Sequence, residues 1–407
     1  MKNVINLGII GLGQRGSGLL KNIFIKSPDI KIVALCDAYE DRSKEYAKLV
    51  EKETGIKPLC ATNYKEVLVL KDLDCIYDVT SWEDHIKIAV DAMKKGIAVA
   101  MEVGCAYSEE ELWNLVNTYE ETKTPFMIME NCCFDKYESM ALKMVRDGVF
   151  GEILHMAGAY GHDLRKEISD GNIIRHYRLR NYINRNCENY PTHEIGPIAK
   201  ILNINRGNKF KSLVSISSQS RGLEEYIKDN LDKYPDLKNT KFAQGDIVNT
   251  IITCENGETI SIKLDTTLPR FYARDFTVRG TKGFYEANTN LVFIDKKSED
   301  MWDTVEAYKK YINNGKEYEE KYLPDFWKNV TKEQLDAGHG GMDYFEFRYL
   351  IDCLKKGVNP LLDVYDAASW MVISILSEKS IKEKGAPQEF PDFTKGKWKT
   401  REAKDLF

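Results

Sequence analysis

The sequence predicts an α/β protein in two parts: an N-terminal doubly wound parallel sheet, then an α/β domain with a predominantly antiparallel, open-faced sheet. Three observations point there. Over the first 130 residues short apolar runs alternate with segments of helical spacing, and a glycine-rich turn directly follows the first run. Beyond about residue 131 the runs alternate or become β-branched and succeed one another across turn signals. Strands buried on both faces read as continuous apolar runs, whereas a sheet with one open face reads as alternation. A chain of 407 residues also exceeds what one core usually organises. The expected division is 1–131 and 132–407, with the closing helices, 344–382, able to pack back on the first domain.

In order, the first strands are expected at Val4–Ile10, Ile32–Cys36, Cys75–Val79, Ile97–Met101 and Phe126–Met129. Between them, Leu19-Leu20-Ile23-Phe24, Ala47-Leu49-Val50 and Ile86-Ala89-Val90-Met93 carry apolar residues three and four apart, as one helix face requires. A helix is expected at about Tyr137–Asp147, and His155 lies in a strand. Further strands follow at Leu213–Ser217, Ile247–Thr253, Ile260–Leu264, Phe276–Arg279 and Leu291–Ile294, punctuated by Glu255-Asn256-Gly257 and Arg279-Gly280-Thr281-Lys282-Gly283. The polar stretch Gly222–Asn239 reads as an exposed excursion, and 298–340 is charged and aromatic. Helices at about Tyr344–Lys355 and Val364–Lys382 close the chain.

Composition removes several function classes. With 58 Lys+Arg against 63 Asp+Glu the net charge is −5, which gives no field to attract nucleic acid or an anionic membrane. No run of apolar residues is long enough for an ordinary membrane span. The short apolar run near Met1 leads into a glycine loop rather than a cleavage site, so it reads as a buried strand and not a signal peptide. The nine cysteines are scattered, with no Cys-x-x-Cys pair and no clustered histidines, so neither a disulfide framework nor a metal site is expected. These features suit a cytoplasmic protein.

Gly11-Leu12-Gly13-Gln14-Arg15-Gly16 forms a G-x-G-x-x-G between the first strand and a helical pattern, and Asp37 ends the second strand 21 residues beyond Gly16. Six residues alone would be a weak signal; strand, loop, helix and acid together specify a Rossmann dinucleotide site. Gly11 allows the tight turn, Gly13 lets the pyrophosphate approach the backbone, and Gly16 lets helix and strand pack closely. The phosphates then rest on the helix N-terminus. Asp37 can accept from the ribose hydroxyls and would repel a 2′-phosphate, which favours NAD over NADP.

Further motifs carry a resemblance. Trp82-Glu83-Asp84-His85 follows the third strand, Met101-Glu102-Val103 the fourth and Asn131 the fifth. Later come Tyr160-Gly161-His162-Asp163-Leu164-Arg165, Tyr177-Arg178, Tyr190-Pro191-Thr192-His193, Gly196-Pro197 and Asn203-Ile204-Asn205-Arg206-Gly207. Leu268-Pro269-Arg270-Phe271-Tyr272 and Gly338-His339-Gly340-Gly341-Met342-Asp343 complete the set. Together they resemble the Gfo/Idh/MocA oxidoreductases and, within them, the NAD-dependent glycosidases of glycoside hydrolase family 109. Dehydrogenases of that superfamily usually end the fourth strand in Glu-Lys-Pro. Here the segment reads Glu102-Val103-Gly104, so the lysine that assists proton transfer is missing. Where they usually carry an Asp three residues after the histidine, this chain has Gly196, and Glu194 directly follows His193.

The resemblance implies glycoside hydrolysis with tightly bound NAD that is recycled each turnover. Transient oxidation at sugar carbon 3 acidifies carbon 2; elimination expels the leaving group; water adds and the hydride returns. It implies an α-linked N-acetylgalactosamine as the small glycoside substrate, held in a cleft between the domains. His193 is the candidate base, since an imidazole titrates near neutral pH. Tyr190 is its partner and Tyr272 a second phenol able to act as an acid. Tyr160, Arg178, Tyr190, His193 and Tyr272 are the expected sugar contacts, Arg178 through charge-assisted hydrogen bonds. Arg178 also fits a solvated basic face with Arg175, Arg180 and Arg185. The expected NAD contacts are Gly11, Leu12, Gly13, Gln14, Arg15, Gly16, Asp37, Trp82, His85, Glu102, Val103 and Asn131. A sugar or cyclitol dehydrogenase is the alternative, and a non-catalytic NAD- or sugar-binding regulator a third reading. The open sheet face of the second domain invites pairing of copies.

Overall fold

The computed structural model describes residues 3–406. Met1 and Lys2, which begin the expected first domain, and Phe407, which ends the second, lie outside the described residues. The chain divides into two compact units, one of residues up to Asn131 with Val330–Ala368, the other of Cys132–Asn329 with Ser369–Asp405.

In the first unit, β1 (Ile5–Ile10), β2 (Ile30–Cys36), β3 (Leu59–Ala61), β4 (Cys75–Asp78), β5 (Ala98–Glu102) and β6 (Phe126–Met129) form one sheet. Its order is β3-β2-β1-β4-β5-β6 with every pairing parallel. The sheet reverses direction of growth between β1 and β4, the switch point outside which dinucleotides bind in such folds. Five strands lie within two residues of the apolar runs. β3 escapes that reading because three residues make too short a run. Between the strands, the helix Glu109–Thr122 starts on a capping box in which Ser108 accepts from Glu111 N–H while the Glu111 carboxylate accepts from the Ser108 backbone. The returning helix Met342–Lys356 packs Phe347 onto Phe24 and Tyr77, with ring centroids 4.7 and 6.4 Å away.

In the second unit β7 (Ile153–Gly161), β8 (Phe210–Ser217), β9 (Ile247–Cys254), β10 (Thr259–Asp265), β11 (Thr277–Gly280), β12 (Gly283–Glu286), β13 (Leu291–Ile294) and β14 (Gln388–Glu389) form a mixed sheet. The order is β13-β12-β11-β7-β10-β9-β8-β14; β7 and β10 run parallel and the other pairings are antiparallel. Burial alternates strictly along β9 and β10, and Ile216 and Ile251 are exposed on the open face. The closed face takes the helix Thr192–Ile201, whose backbone lies against Gly158 of β7. A Cβ at Gly158 would stand 3.0 Å from the Glu194 carbonyl oxygen, so a larger residue there would push the helix outward by a few tenths of an ångström.

One expectation is corrected. The stretch Gly222–Asn239 is not an exposed excursion: it holds the helix Gly222–Asp229, and Leu223, Ile227, Tyr234 and Leu237 are buried with Tyr160, Tyr182 and Leu264. Its charges face outward around these anchors, and six apolar or aromatic residues scattered among eighteen gave little signal. The charged 298–340 segment is helical in pieces, with Thr304–Tyr311 capped by Asp303 and Lys332–Asp336 by Thr331.

Candidate active site

The loop after β1 has the form a pyrophosphate cradle needs. Gly11 stands at φ +97°, and a Cβ there would lie 2.3 Å from the Val79 carbonyl oxygen. A Cβ on Gly16 would lie 2.1 Å from the Gly11 oxygen, so this glycine permits helix and loop to touch. Around Gly13 the space is open, with only an Arg42 nitrogen 3.7 Å from a would-be Cβ. The helix Gln14–Leu19 begins there. Asp37, buried, accepts from Leu12 N–H at 2.7 Å and from Tyr39 N–H at 2.9 Å, fixing the loop to the end of β2. Arg42, which sequence reasoning did not single out, stands 3.6 Å from that carboxylate. Open backbone at Gly13, closed backbone at Gly11 and Gly16, and an acid at the second strand end fit NAD.

Arg15 has a different role from that of a loose loop residue. Its Nε donates to Glu102 Oε1 at 2.9 Å, and its two terminal nitrogens donate to Asp343 Oδ2 and Oδ1 at 2.6 and 3.0 Å. Asn131 Nδ2 donates to the same carboxylate at 2.7 Å, and His339 Nδ1 stands 2.9 Å from it. Burial opposes ionisation of Asp343, yet Arg15 and His339 hold it well below the usual carboxylate range. The glycine loop, the end of β5, Asn131 and the Gly338–Asp343 motif thus meet in one network, and Tyr77 O–H donates to Glu102 at its edge. His85 is buried, with Nε2 3.1 Å from the Thr80 carbonyl, and burial lowers its pKa to about 4, so it stands neutral. Val103 and Trp82 are buried. A Cβ at Gly104 would lie 2.4 Å from the Trp82 ring, which explains why glycine stands where the superfamily has proline; nothing local explains valine at 103.

In the second unit the expected sugar contacts converge. Tyr190 precedes the helix Thr192–Ile201, which places His193 in its first turn. The Tyr190 ring lies 4.7 Å from that of His193 and 4.6 Å from Tyr160; Tyr160 and His193 are 5.5 Å apart. Tyr160 ends β7 and its hydroxyl is 3.3 Å from His162 Nδ1; burial pushes that phenol up to about 12. His162 in turn packs edge-on against Tyr272 at 5.2 Å. Tyr272 is brought there because Ala273 bridges to Gly161 while Arg270 pairs with Asp265 across the same strand end. Arg178 is buried, not part of a solvated face: it lies 5.3 Å from the Tyr190 ring and pairs with Glu167 at 3.2 Å. Sequence reasoning missed Arg274, which bonds Cys132 Sγ, Glu138 and Asp135, and Glu188, whose carboxyl meets that of Glu194. No motif marked either.

Residues 134–400 match the C-terminal domain of glycosyl hydrolase 109, and residues 5–129 match the NAD-binding Rossmann fold of the GFO_IDH_MocA oxidoreductase family. A glycosyl hydrolase family 109 protein of Solibacter usitatus is 36% identical, over 98% of this chain and 90% of its own length. The chain belongs to glycosyl hydrolase family 109. An alpha-N-acetylgalactosaminidase of Tannerella forsythia is likewise 36% identical, over 97% of this chain and 87% of its own. Among solved structures, levoglucosan dehydrogenase in complex with NADH and L-sorbose superposes with a TM-score of 0.68 at 16% identity, covering 96% of this chain and all of that one. Scyllo-inositol dehydrogenase from Lactobacillus casei with bound NAD(H) gives 0.65 at 14%, over 95% and 99% of the two chains. At such identity these two speak for the fold. Family membership and the Rossmann half together make this family 109 chain an NAD-dependent enzyme. No helix among the described residues is long and apolar enough to cross a membrane.

Proposed function

We propose that the protein removes α-linked N-acetylgalactosamine from a small glycoside by the redox-assisted elimination that the family resemblance implies. The observation that carries this reading is the convergence of Tyr160, Arg178, Tyr190, His193 and Tyr272 in one aromatic and basic cluster. Relatives at 35% and 36% identity named alpha-N-acetylgalactosaminidase support the choice of sugar.

When bound by Gly11–Gly16 and Asp37, NAD would supply reversible hydride acceptance at sugar carbon 3. His193 takes a proton from the sugar at a ring nitrogen, and the Tyr190 phenol beside it donates to or accepts from the same hydroxyl. Arg178 steadies negative charge on the sugar oxygens, its own charge held against burial by Glu167. Tyr160 fixes the ring; in the elimination the carbon-2 proton passes to the His193–Tyr190 pair and the Tyr272 phenol donates a proton to the leaving oxygen, regaining it from the water that adds. With Val103 in place of the superfamily lysine, proton transfer at carbon 3 falls to the second unit's side chains.

The test is hydrolysis of nitrophenyl glycosides, the α-N-acetylgalactosaminide first, in deuterated water. Nitrophenol release with deuterium at carbon 2 and no accumulated NADH is expected, together with NAD retained through purification. NADH formed in proportion to free sugar consumed, without nitrophenol, would overturn the reading in favour of a dehydrogenase. We also read the open face of the second sheet, where Val214 faces Ile251 across the strand pair, as a surface for pairing with a second copy. A monomer by light scattering at high protein concentration would remove that reading.

A further inference from the structure

Glu194 follows His193 in the helix Thr192–Ile201, and its Oε1 accepts the Tyr160 backbone N–H at 3.0 Å. Glu188 sits in the loop before Tyr190, its own N–H donated to Ser377 Oγ at 2.9 Å. Both side chains are fully buried, at 0% and 1% exposure. Backbone N–H groups of Tyr190 and Leu264 turn toward Glu188 and that of Lys263 toward Glu194, but among the described residues none closes a full hydrogen bond to either Glu188 oxygen or to Glu194 Oε2. Lys263 pairs with Asp275 at 3.0 Å, Arg178 with Glu167 at 3.2 Å, and Arg185 with Glu378 at 2.8 Å. Two buried carboxylates in contact cannot both ionise without a partner cation. One proton between them removes the difficulty, because the acid O–H then donates to the remaining carboxylate.

We propose that Glu188 and Glu194 share a proton as an acid–carboxylate pair and are positioning residues for the Tyr160–Tyr190–His193 cluster. Burial lifts both carboxyls above the usual carboxylate range, and the Glu188 charge lifts Glu194 further, while the bond between the two holds Glu188 down toward the ionised form. The pair joins three pieces of chain: the end of β7 through Tyr160 N–H, the loop that leads to Tyr190, and the first turn carrying His193. Tyr160 is thereby fixed at its backbone by Glu194 and at its hydroxyl by His162, which sets the face it presents to Tyr190 and His193. The inference that this positioning serves catalysis rests on the glycosidase reading above.

Three measurements test it. The infrared difference between wild type and the double variant E188Q/E194Q at neutral pH should contain the carbonyl stretch of a protonated, buried carboxylic acid. E194Q keeps an acceptor for Tyr160 N–H and a donor for Glu188, so it should retain slow exchange of the Tyr160 amide, whereas E194L should lose it. Hydrolysis should stay within about threefold in E194Q and fall on the order of tenfold to hundredfold in E194L, the scale for losing a support of a reacting group. Absence of the protonated-acid band, or an E194L variant with a protected Tyr160 amide and wild-type rate, would overturn the proposal. Should E194L fail to fold, the infrared difference and the exchange of E194Q against wild type decide it. A wild-type protein that hydrolyses no glycoside would sink the functional reading while leaving the infrared and exchange results to judge the pair.

Discussion

His193 and Tyr190 stand three residues apart, and their rings meet because the helix starts between them at Thr192. His193→Ala or Tyr190→Phe should therefore cost roughly 10²- to 10⁴-fold in glycoside hydrolysis, the scale of lost acid–base catalysis. A loss below about threefold in both would take them out of the mechanism. The glycines separate in the same way. Gly16→Ala should impair folding of the first unit, because its Cβ meets the Gly11 carbonyl. Gly13→Ala should fold normally yet weaken NAD binding, read by titration calorimetry, since its Cβ enters only the open cradle. These residues were visible in the sequence because each sits in a motif whose spacing has a physical reason. Arg15's anchors were not, since Asp343 lies 328 positions away. Nor was Glu188, since a buried carboxyl in a loop leaves no periodic trace. The Glu194 departure could be seen in the sequence, but its meaning needed Tyr160 N–H beside it.

Elements begin where side chains complete the backbone's bonding. The Ser108 box is half-exposed and clear of the site, so Ser108→Ala should lower stability by about 1 kcal/mol. Ser108→Asp should keep most of it; thermal unfolding measures both. At the end of β4, Asp78 is wholly buried and its carboxyl is pushed up to about 7 by burial, against the two bonds from Thr80. The native state then keeps a proton that the unfolded chain releases near pH 4, so native binds more protons across that interval. Stability should fall as pH rises from about 4 to about 7, by up to about 4 kcal/mol, and level off above. Asp78→Asn should flatten this slope in urea unfolding; an unchanged slope would assign it to other groups. Most strands were legible because both-face burial or strict alternation writes itself into composition. β3 was too short. β7 was marked only at His155: Gly158 is bare where the helix Thr192–Ile201 lies on the strand, and the run Ala157-Gly158-Ala159 imitates a loop. The helix Gly222–Asp229 was hidden by the charges on its outer face.

The first unit is assembled from two distant stretches of chain, residues up to Asn131 and Val330–Ala368. Phe347, 1% exposed against Phe24 and Tyr77, is part of what the second stretch contributes. Phe347→Ala should destabilise that unit by about 3–5 kcal/mol through the lost ring and the cavity left. Calorimetry should place the loss in the transition that added NAD raises, because a ligand stabilises the state that binds it. Equal loss in every transition would mean that the two units do not melt separately. The two sheet types were legible in the change from continuous to alternating apolar runs, whereas a returning segment leaves only two helical patterns that fit either part. For a chain made from its N-terminus, this threading orders events in time. About 200 residues of the second unit leave the ribosome before Asp343 can reach Arg15, so the nascent glycine loop has Asp37 and Glu102 but waits for its bidentate anchor. The cofactor is expected to be captured only after synthesis is nearly complete, and a truncated message would yield a polypeptide that cannot retain it.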